Sequence, residues 1–308
     1  MPDFIAKVIR STMFRLAHIS DLHLSPIPKV RLKELFSKRI TGYVNWNRHR
    51  KAFHQIGVLD TLMSEISSKE INHLAITGDM VNLATNPEII AARKWLEQNC
   101  PIESTSLVPG NHDAYVPGAF KQAMQAWKPW VTGDMGEKAD VFPYMQRRGP
   151  VAIIGLSTSN ASMPFRATGN FSTKQADAAT KLLIKAKEQN LFRIILIHHP
   201  PYEGATHCMK RMYGTKNFRH MLDRAGAELI LHGHTHLNTR FDINSDQGKV
   251  PSIGISSATQ IHGDKKPVAG FNLFDISKHG NDWQCEHGRY LLDKSMQHAE
   301  CVEQTKLY

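Results

Sequence analysis

The chain is poor in cysteine. Cys100, Cys208, Cys285 and Cys301 are scattered over 308 positions without a C-x-x-C pair, so neither a disulfide framework nor a thiolate zinc site is expected, and the thiols read as free. Long apolar runs are missing too. None approaches the roughly 18 residues that a membrane span needs, and the N-terminus lacks the charged, apolar and small-residue order of a secretion signal. The expected location is cytoplasmic. Internal repeats, low-complexity tracts and a Pro/Gly-rich linker are absent as well, which leaves one domain over residues 14–295, a leader at 1–13 and a tail at 296–308. With 41% hydrophobic residues that domain can bury a full core.

Positive charge is what the chain does have. Its formal balance is +10, and residues 29–51 hold eight Lys or Arg against one Glu. Within that stretch Leu32, Leu35, Phe36, Ile40 and Tyr43 recur at helical spacing, with Lys33, Lys38, Arg39 and Arg48 around them. An amphipathic helix packed on the body is the plain expectation. Peripheral contact with the inner face of an anionic membrane ranks second. Nucleic acid ranks third, because no recognition motif accompanies the charge.

Elsewhere short β-rich runs alternate with helical patterns. The runs fall at 14–19, 73–76, 105–108, 194–197 and 228–231, and the helical patterns at 54–67, 87–98, 173–188 and 215–224. Such alternation predicts an α/β fold, in which chemistry gathers just beyond the carboxyl ends of the strands. Past His236 the runs at 252–256, 271–276 and 284–291 alternate as an antiparallel ending would. Each of the first five runs ends in a polar cluster: Asp21 and His23; Gly78-Asp79; Gly110-Asn111-His112-Asp113; His198-His199-Pro200; Gly233-His234-Thr235-His236. A site for two metal ions needs hard carboxylate and amide oxygens beside imidazole nitrogens, with one anionic group able to bridge. These clusters supply that mixture. Asp79 is a candidate bridge, Asn111 offers a side-chain carbonyl, and His198 or His199 offers a further imidazole. Taken singly each cluster is an ordinary turn or cap; it is five of them in order, each after a strand, that point to chemistry.

The series D-x-H, G-D, G-N-H-D, H-H-P-P, G-H-T-H resembles the calcineurin-like metallophosphoesterase family over roughly residues 14–237. The resemblance implies a four-layer α/β/β/α sandwich of two mixed sheets flanked by helices, and a phosphoesterase using two divalent ions, of Mn, Fe or Zn. It implies that Asp21, His23, Asp79 and His236 hold one ion and that Asp79, Asn111, His198 and His234 hold the other. It makes His112 a catalytic group facing the substrate phosphate, with Asp113 orienting that ring or capping a turn. His199 then lies behind the ligands or against substrate, and Lys210 and Arg211, on the 206–218 loop, become expected substrate contacts. Within the family the pattern looks most like the bacterial class III cyclic-nucleotide phosphodiesterases. Because the blocks contain no Arg or Lys, a singly charged phosphodiester is the expected small-molecule substrate. The alternatives are a lipid-linked diphosphate, as for the hydrolases of UDP-diacylglucosamine, and a nuclease. A non-catalytic binding module would be expected to lack a ligand or His112, and none is missing.

Overall fold

The computed structural model describes residues 13–30, 32–135, 141–262 and 265–308. The leader expected at 1–13 therefore lies, but for its last residue, outside the described residues. Strands β1 (Phe14–Ile19), β2 (His73–Ile76) and β3 (Thr105–Leu107) run parallel side by side. They continue through antiparallel β12 (Gly270–His279), β13 (Asp282–Leu292) and β14 (Ala299–Lys306) into one six-stranded sheet of order β14-β13-β12-β1-β2-β3. The second sheet has the order β10-β11-β9-β7-β5-β4. Its parallel centre is β5 (Val151–Gly155), β7 (Phe192–Leu196), β9 (Leu229–His232) and β11 (Gly248–Gly254), with β4 (Tyr144–Arg148) and β10 (Thr239–Ser245) antiparallel at the edges. Two short strands, β6 (Gly169–Asn170) and β8 (Met212–Tyr213), pair apart from both sheets.

The period-2 burial of the strands explains the layering. Phe192, Ile194 and Leu196 on β7 face Leu16, Ala75 and Phe274 of the other sheet, while Ile195 and Ile197 face the helices. The helix Thr173–Glu188, capped by Ser172, presents Ala176, Ala179, Leu183 and Ala186 to the second sheet. On the first sheet, the helix Ile56–Ser68 buries Val58, Leu59, Leu62 and Ile66. The helix Asn86–Asn99 starts on a capping box between Thr85 and Glu88 and buries Ile89, Ala92, Trp95 and Leu96. At roughly 1.5–3 kcal/mol for each large side chain, this burial holds the helices to the sheets. The expected α/β/β/α sandwich of two mixed sheets is present.

Residues 296–308, expected as a tail, instead supply β14, which pairs with β13 from Ala299 to Lys306. Three of its eight side chains are charged and five are exposed, as suits an edge strand. No helix among the described residues is long and apolar enough to cross a membrane.

Candidate metal centre

All five polar clusters sit where the parallel strands end, three beyond β1, β2 and β3 and two beyond β7 and β9. Since the two sheets lie face to face, their carboxyl ends converge on one place. The loops are stitched together there by backbone hydrogen bonds from Asp21 to Gly78 (3.0 Å), from His23 to Asp79 (2.9 Å) and from Gly233 to His198 (3.0 Å). Asp21, His23, Asp79, His234 and His236 all have positive φ, between 41° and 69°. For a non-glycine residue each such conformation costs on the order of 1 kcal/mol or more, and it persists where the surroundings over-determine it. The glycine ahead of His234 has a different reason: a Cβ on Gly233 would stand 1.8 Å from Ser20 Oγ and 2.4 Å from Asp21 Oδ2.

The donors are aimed inward. The Nδ1 of His23 pairs with the Val81 carbonyl (3.2 Å) and that of His198 with the Thr77 carbonyl (2.7 Å), while Nε2 of His234 pairs with the Lys210 carbonyl (2.8 Å). Each carbonyl can only accept, so it takes the ring N–H and leaves the opposite nitrogen's lone pair directed into the site. Those lone pairs meet oxygens and one another: His198 Nε2 is 3.2 Å and His234 Nδ1 2.8 Å from Asn111 Oδ1, and His23 Nε2 is 3.3 Å from His236 Nε2. Asp79 Oδ1 accepts from the His112 backbone N–H at 2.7 Å, while Oδ2 lies between His198 Nε2 (3.4 Å) and His23 Nε2 (3.8 Å). That is the position of a bridging group.

A cation fits this arrangement. Asp21 Oδ2 is held by Ser20 Oγ (2.7 Å) and by the His234 N–H (2.9 Å), but its buried Oδ1 has no hydrogen-bond partner and faces His236 Nε2 at 3.1 Å. Leaving a buried carboxylate oxygen unpaired is costly, and a cation held with His23 and His236 would satisfy it. Burial alone would lower the pKa of His198, yet the Asp79 carboxylate outweighs it and raises that pKa to about 9. A proton there supplies the positive charge that the second ligand group is built to receive. Asp21-His23-His236 and Asp21-Asp79-His198 are each close enough to hold an ion, as is His23-Asp79-His112. The seven expected ligands are thus brought together.

His112 sits beside them. Its Nδ1 pairs with the Asn82 carbonyl at 2.6 Å, its ring stacks on Tyr115, and its Nε2 points into a cavity of about 910 Å³. Burial is the main cause that lowers its pKa, to about 4, with Asp79 acting against it and Arg50 adding to it. Asp113 does not orient that ring. Its carboxylate accepts instead from the Val81 N–H (3.2 Å) and the Gly110 N–H (2.8 Å), tying the second and third loops together. Asp113→Ala would orphan two buried N–H groups, and a loss of about 2–4 kcal/mol in denaturant unfolding is expected; a change under about 0.5 kcal/mol would show that the tie is unimportant.

Two expected substrate contacts are corrected. His199 is fully buried with both ring nitrogens taken, Nδ1 by Thr158 Oγ1 (2.7 Å) and Nε2 by the Ala167 carbonyl (3.2 Å). Its ring lies 4.2 Å from that of His234, so it braces a ligand from behind. Arg211 turns away to lie over the Tyr213 ring and does not line the cavity. Lys210 does line it.

The basic stretch supplies what sequence reasoning missed. Residues 38–54 fold over the metal end, so that Lys38, Arg48, Arg50 and His54 line the cavity. Arg50 Nη1 lies 3.3 Å from His112 Nε2, and its charge acts on Asp79 and Asp21. A π-helical turn, Trp46–Arg50, with Lys51 N bonded to the Trp46 carbonyl, carries Arg50 into the cavity; such turns often mark functional sites. Gly42 lets this roof approach, because a Cβ there would meet Tyr115 Oη at 2.4 Å. His54 stacks on Trp46 and lies edge-on to His23, its Nδ1 held by Thr259 Oγ1. The signal that was available is the density of cations ahead of His54.

Fold and ligand set together define a hydrolase of phosphate esters built to hold two metal ions. Residues 14–238 match the sequence profile of the calcineurin-like phosphoesterases, and the chain belongs to that family. It is a metal-dependent phosphoric ester hydrolase that uses two divalent ions. Among solved structures it is similar to a dimetal phosphatase from Danio rerio, at 12% identity and TM-score 0.63, over 96% of this chain and 99% of that one. It is similar also to a purple acid phosphatase from yellow lupin (Lupinus luteus) seeds, at 13% identity and TM-score 0.63, over 96% of this chain and 53% of that one. At such identities the likeness is one of fold. No curated protein sequence matches the chain significantly.

Proposed function

We propose that the chain hydrolyses a diphosphate linkage, with a cyclic-nucleotide diester as the second reading. The observation that carries this is the cation set of the cavity: Lys38, Arg48, Arg50 and Lys210 line the space that holds His112 and the ligand loops. A singly charged cyclic diester would engage the metal end and leave most of that charge unmatched. A diphosphate presents a second anionic phosphate for it. The absence of Arg and Lys from the five blocks therefore does not argue for a single charge, since the cations come from segments outside the blocks.

Two ions bound at the ligand loops would polarise the phosphoryl group and activate water. The chain's own residues do the rest. Arg50 Nη1 and His112 Nε2 lie 3.3 Å apart in the wall of the cavity, so a phosphate oxygen bound beside them meets a fixed cation and an imidazole. Negative charge arriving there favours the protonated ring, which then has a proton to give to the leaving oxygen. That same proton transfer is what favours the cyclic diester as second reading, because its alkoxide leaving group needs it most.

The test is a comparison of kcat/KM under one metal condition for a nucleoside diphosphate sugar, 2′,3′- and 3′,5′-cyclic AMP, bis-p-nitrophenyl phosphate and p-nitrophenyl phosphate. The diphosphate is expected to lead the cyclic nucleotides by more than about tenfold, or some 1.4 kcal/mol. Arg50→Ala should lower its kcat/KM by roughly 10²-fold with metal content unchanged. A tenfold lead for a cyclic nucleotide would install the second reading, and a lead for p-nitrophenyl phosphate would sink both.

A further inference from the structure

Phe36, Ile40 and Val44 recur every fourth residue across the turn and helix 36–45 and are 85%, 53% and 42% exposed. Tyr43, one turn along the same helix, packs against the core beneath, as do Leu24 and Ile27. The segment is therefore divided: one face is anchored and the other carries an apolar stripe into solvent. A second segment joins it. Lys38 Nζ donates to Ser162 Oγ and to the Arg166 carbonyl, both at 2.8 Å, which ties the helix to a loop whose Met163 and Phe165 are 69% and 82% exposed. Both segments border the cavity mouth, through Thr41 and Asn45 on one side and Phe165 on the other. Five large apolar side chains exposed on the two segments that border one opening are more than scattered surface residues account for.

Charge accompanies them. The stretches 29–54, 159–168 and 204–211 together hold eleven Lys or Arg and one acid, Glu34, and among these cations Lys38, Arg48, Arg50, Arg166 and Lys210 line the cavity. The remainder of the chain balances, so the whole formal charge of +10 lies in these three stretches. Nucleic acid would answer the charge alone. An apolar stripe set among cations answers an anionic bilayer, where the side chains enter the acyl boundary and the cations meet headgroup phosphates.

We propose that the mouth of the cavity docks on an anionic membrane through Phe36, Ile40, Val44, Met163 and Phe165, and that it receives its phosphate substrate from the lipid surface. The docking stands on these exposed side chains and their charge. The lipid-tailed diphosphate that it would deliver rests on the function proposed above. Arg39 fixes the platform from below, its guanidinium donating to the Leu83 and Ala84 carbonyls at 2.9 and 2.5 Å.

Flotation of the metal-loaded full chain with phosphatidylcholine vesicles, with and without phosphatidylglycerol, tests the docking. The protein is expected to float with the anionic vesicles, less as salt rises, and not with the neutral ones. The triple variant Phe36→Ser, Ile40→Ser, Val44→Ser should lose at least tenfold in partitioning while hydrolysing water-soluble bis-p-nitrophenyl phosphate at the unchanged rate, which also shows that it folds. No flotation at low salt, or equal flotation of the triple variant, overturns the proposal. Tighter binding of an oligonucleotide, lost in that variant, would give the face to nucleic acid, and a dimer dissolved by it would give the face to a second copy. Flotation together with a preference for cyclic nucleotides would leave the docking standing and remove the diphosphate.

Discussion

Asp79→Ala is expected to empty both metal positions and to lower kcat/KM by more than about 10³-fold, beyond the 10²–10³ usual for one charge-stabilising donor. The expectation follows from where its oxygens are. Oδ2 lies between His198 and His23, which belong to different ligand groups, and Oδ1 anchors the backbone of His112. One substitution therefore removes the shared ligand and loosens the group that faces substrate. It also leaves His198, whose raised pKa depends on Asp79, without its counter-charge. Metal analysis beside kinetics reads the result. A variant that kept two ions per chain would show that the ligand groups are independent.

His112→Ala should have the second largest effect, roughly 10²-fold or more in kcat, with the ions retained. The ring is not needed to complete either expected ligand set, and its backbone N–H, which holds Asp79, survives the change. What is lost is the imidazole that meets the phosphate beside Arg50. Loss of one ion in this variant would identify His112 as a ligand, which the third close grouping, His23-Asp79-His112, keeps as a concrete alternative. His112→Gln, which restores a hydrogen-bond donor but no titrating proton, should recover little of the rate.

The metal centre was legible in the sequence because its parts are contiguous. Asp21, Asp79, Asn111, His198 and His234 each follow a strand within a few residues, so a block read along the chain is also a block in space. The strands at 14–19 and 73–76 were legible for the same reason, being short apolar runs closed by a polar cluster. Arg50 was not. It reaches His112 from 62 residues away, and the π-helical turn before it breaks the helical period that made the stretch read as a simple amphipathic helix. Periodicity marked one apolar face over Leu32 to Tyr43, whereas the fold splits that face, packing Tyr43 on the core and leaving Phe36 and Ile40 out. His199 and Asp113 show a second limit. Both lie next to working residues in sequence, yet their side chains turn to Thr158 and Ala167 in one case and to Val81 and Gly110 in the other. Adjacency along the chain says little about which way a buried polar group points, since that is decided by whichever unpaired donor or acceptor lies closest. β14 escaped because an edge strand needs only one paired side and little apolar surface.

Two ions holding the strained ligand loops together is the claim on which the rest depends. Titrating the metal-stripped protein with Mn²⁺ or Zn²⁺, with calorimetry and phosphoesterase activity followed on the same samples, tests it most directly. Two equivalents bound per chain, activity absent before the addition and restored as the second site fills, is the predicted result; full turnover by the stripped protein, or activity indifferent to the metal bound, would contradict it.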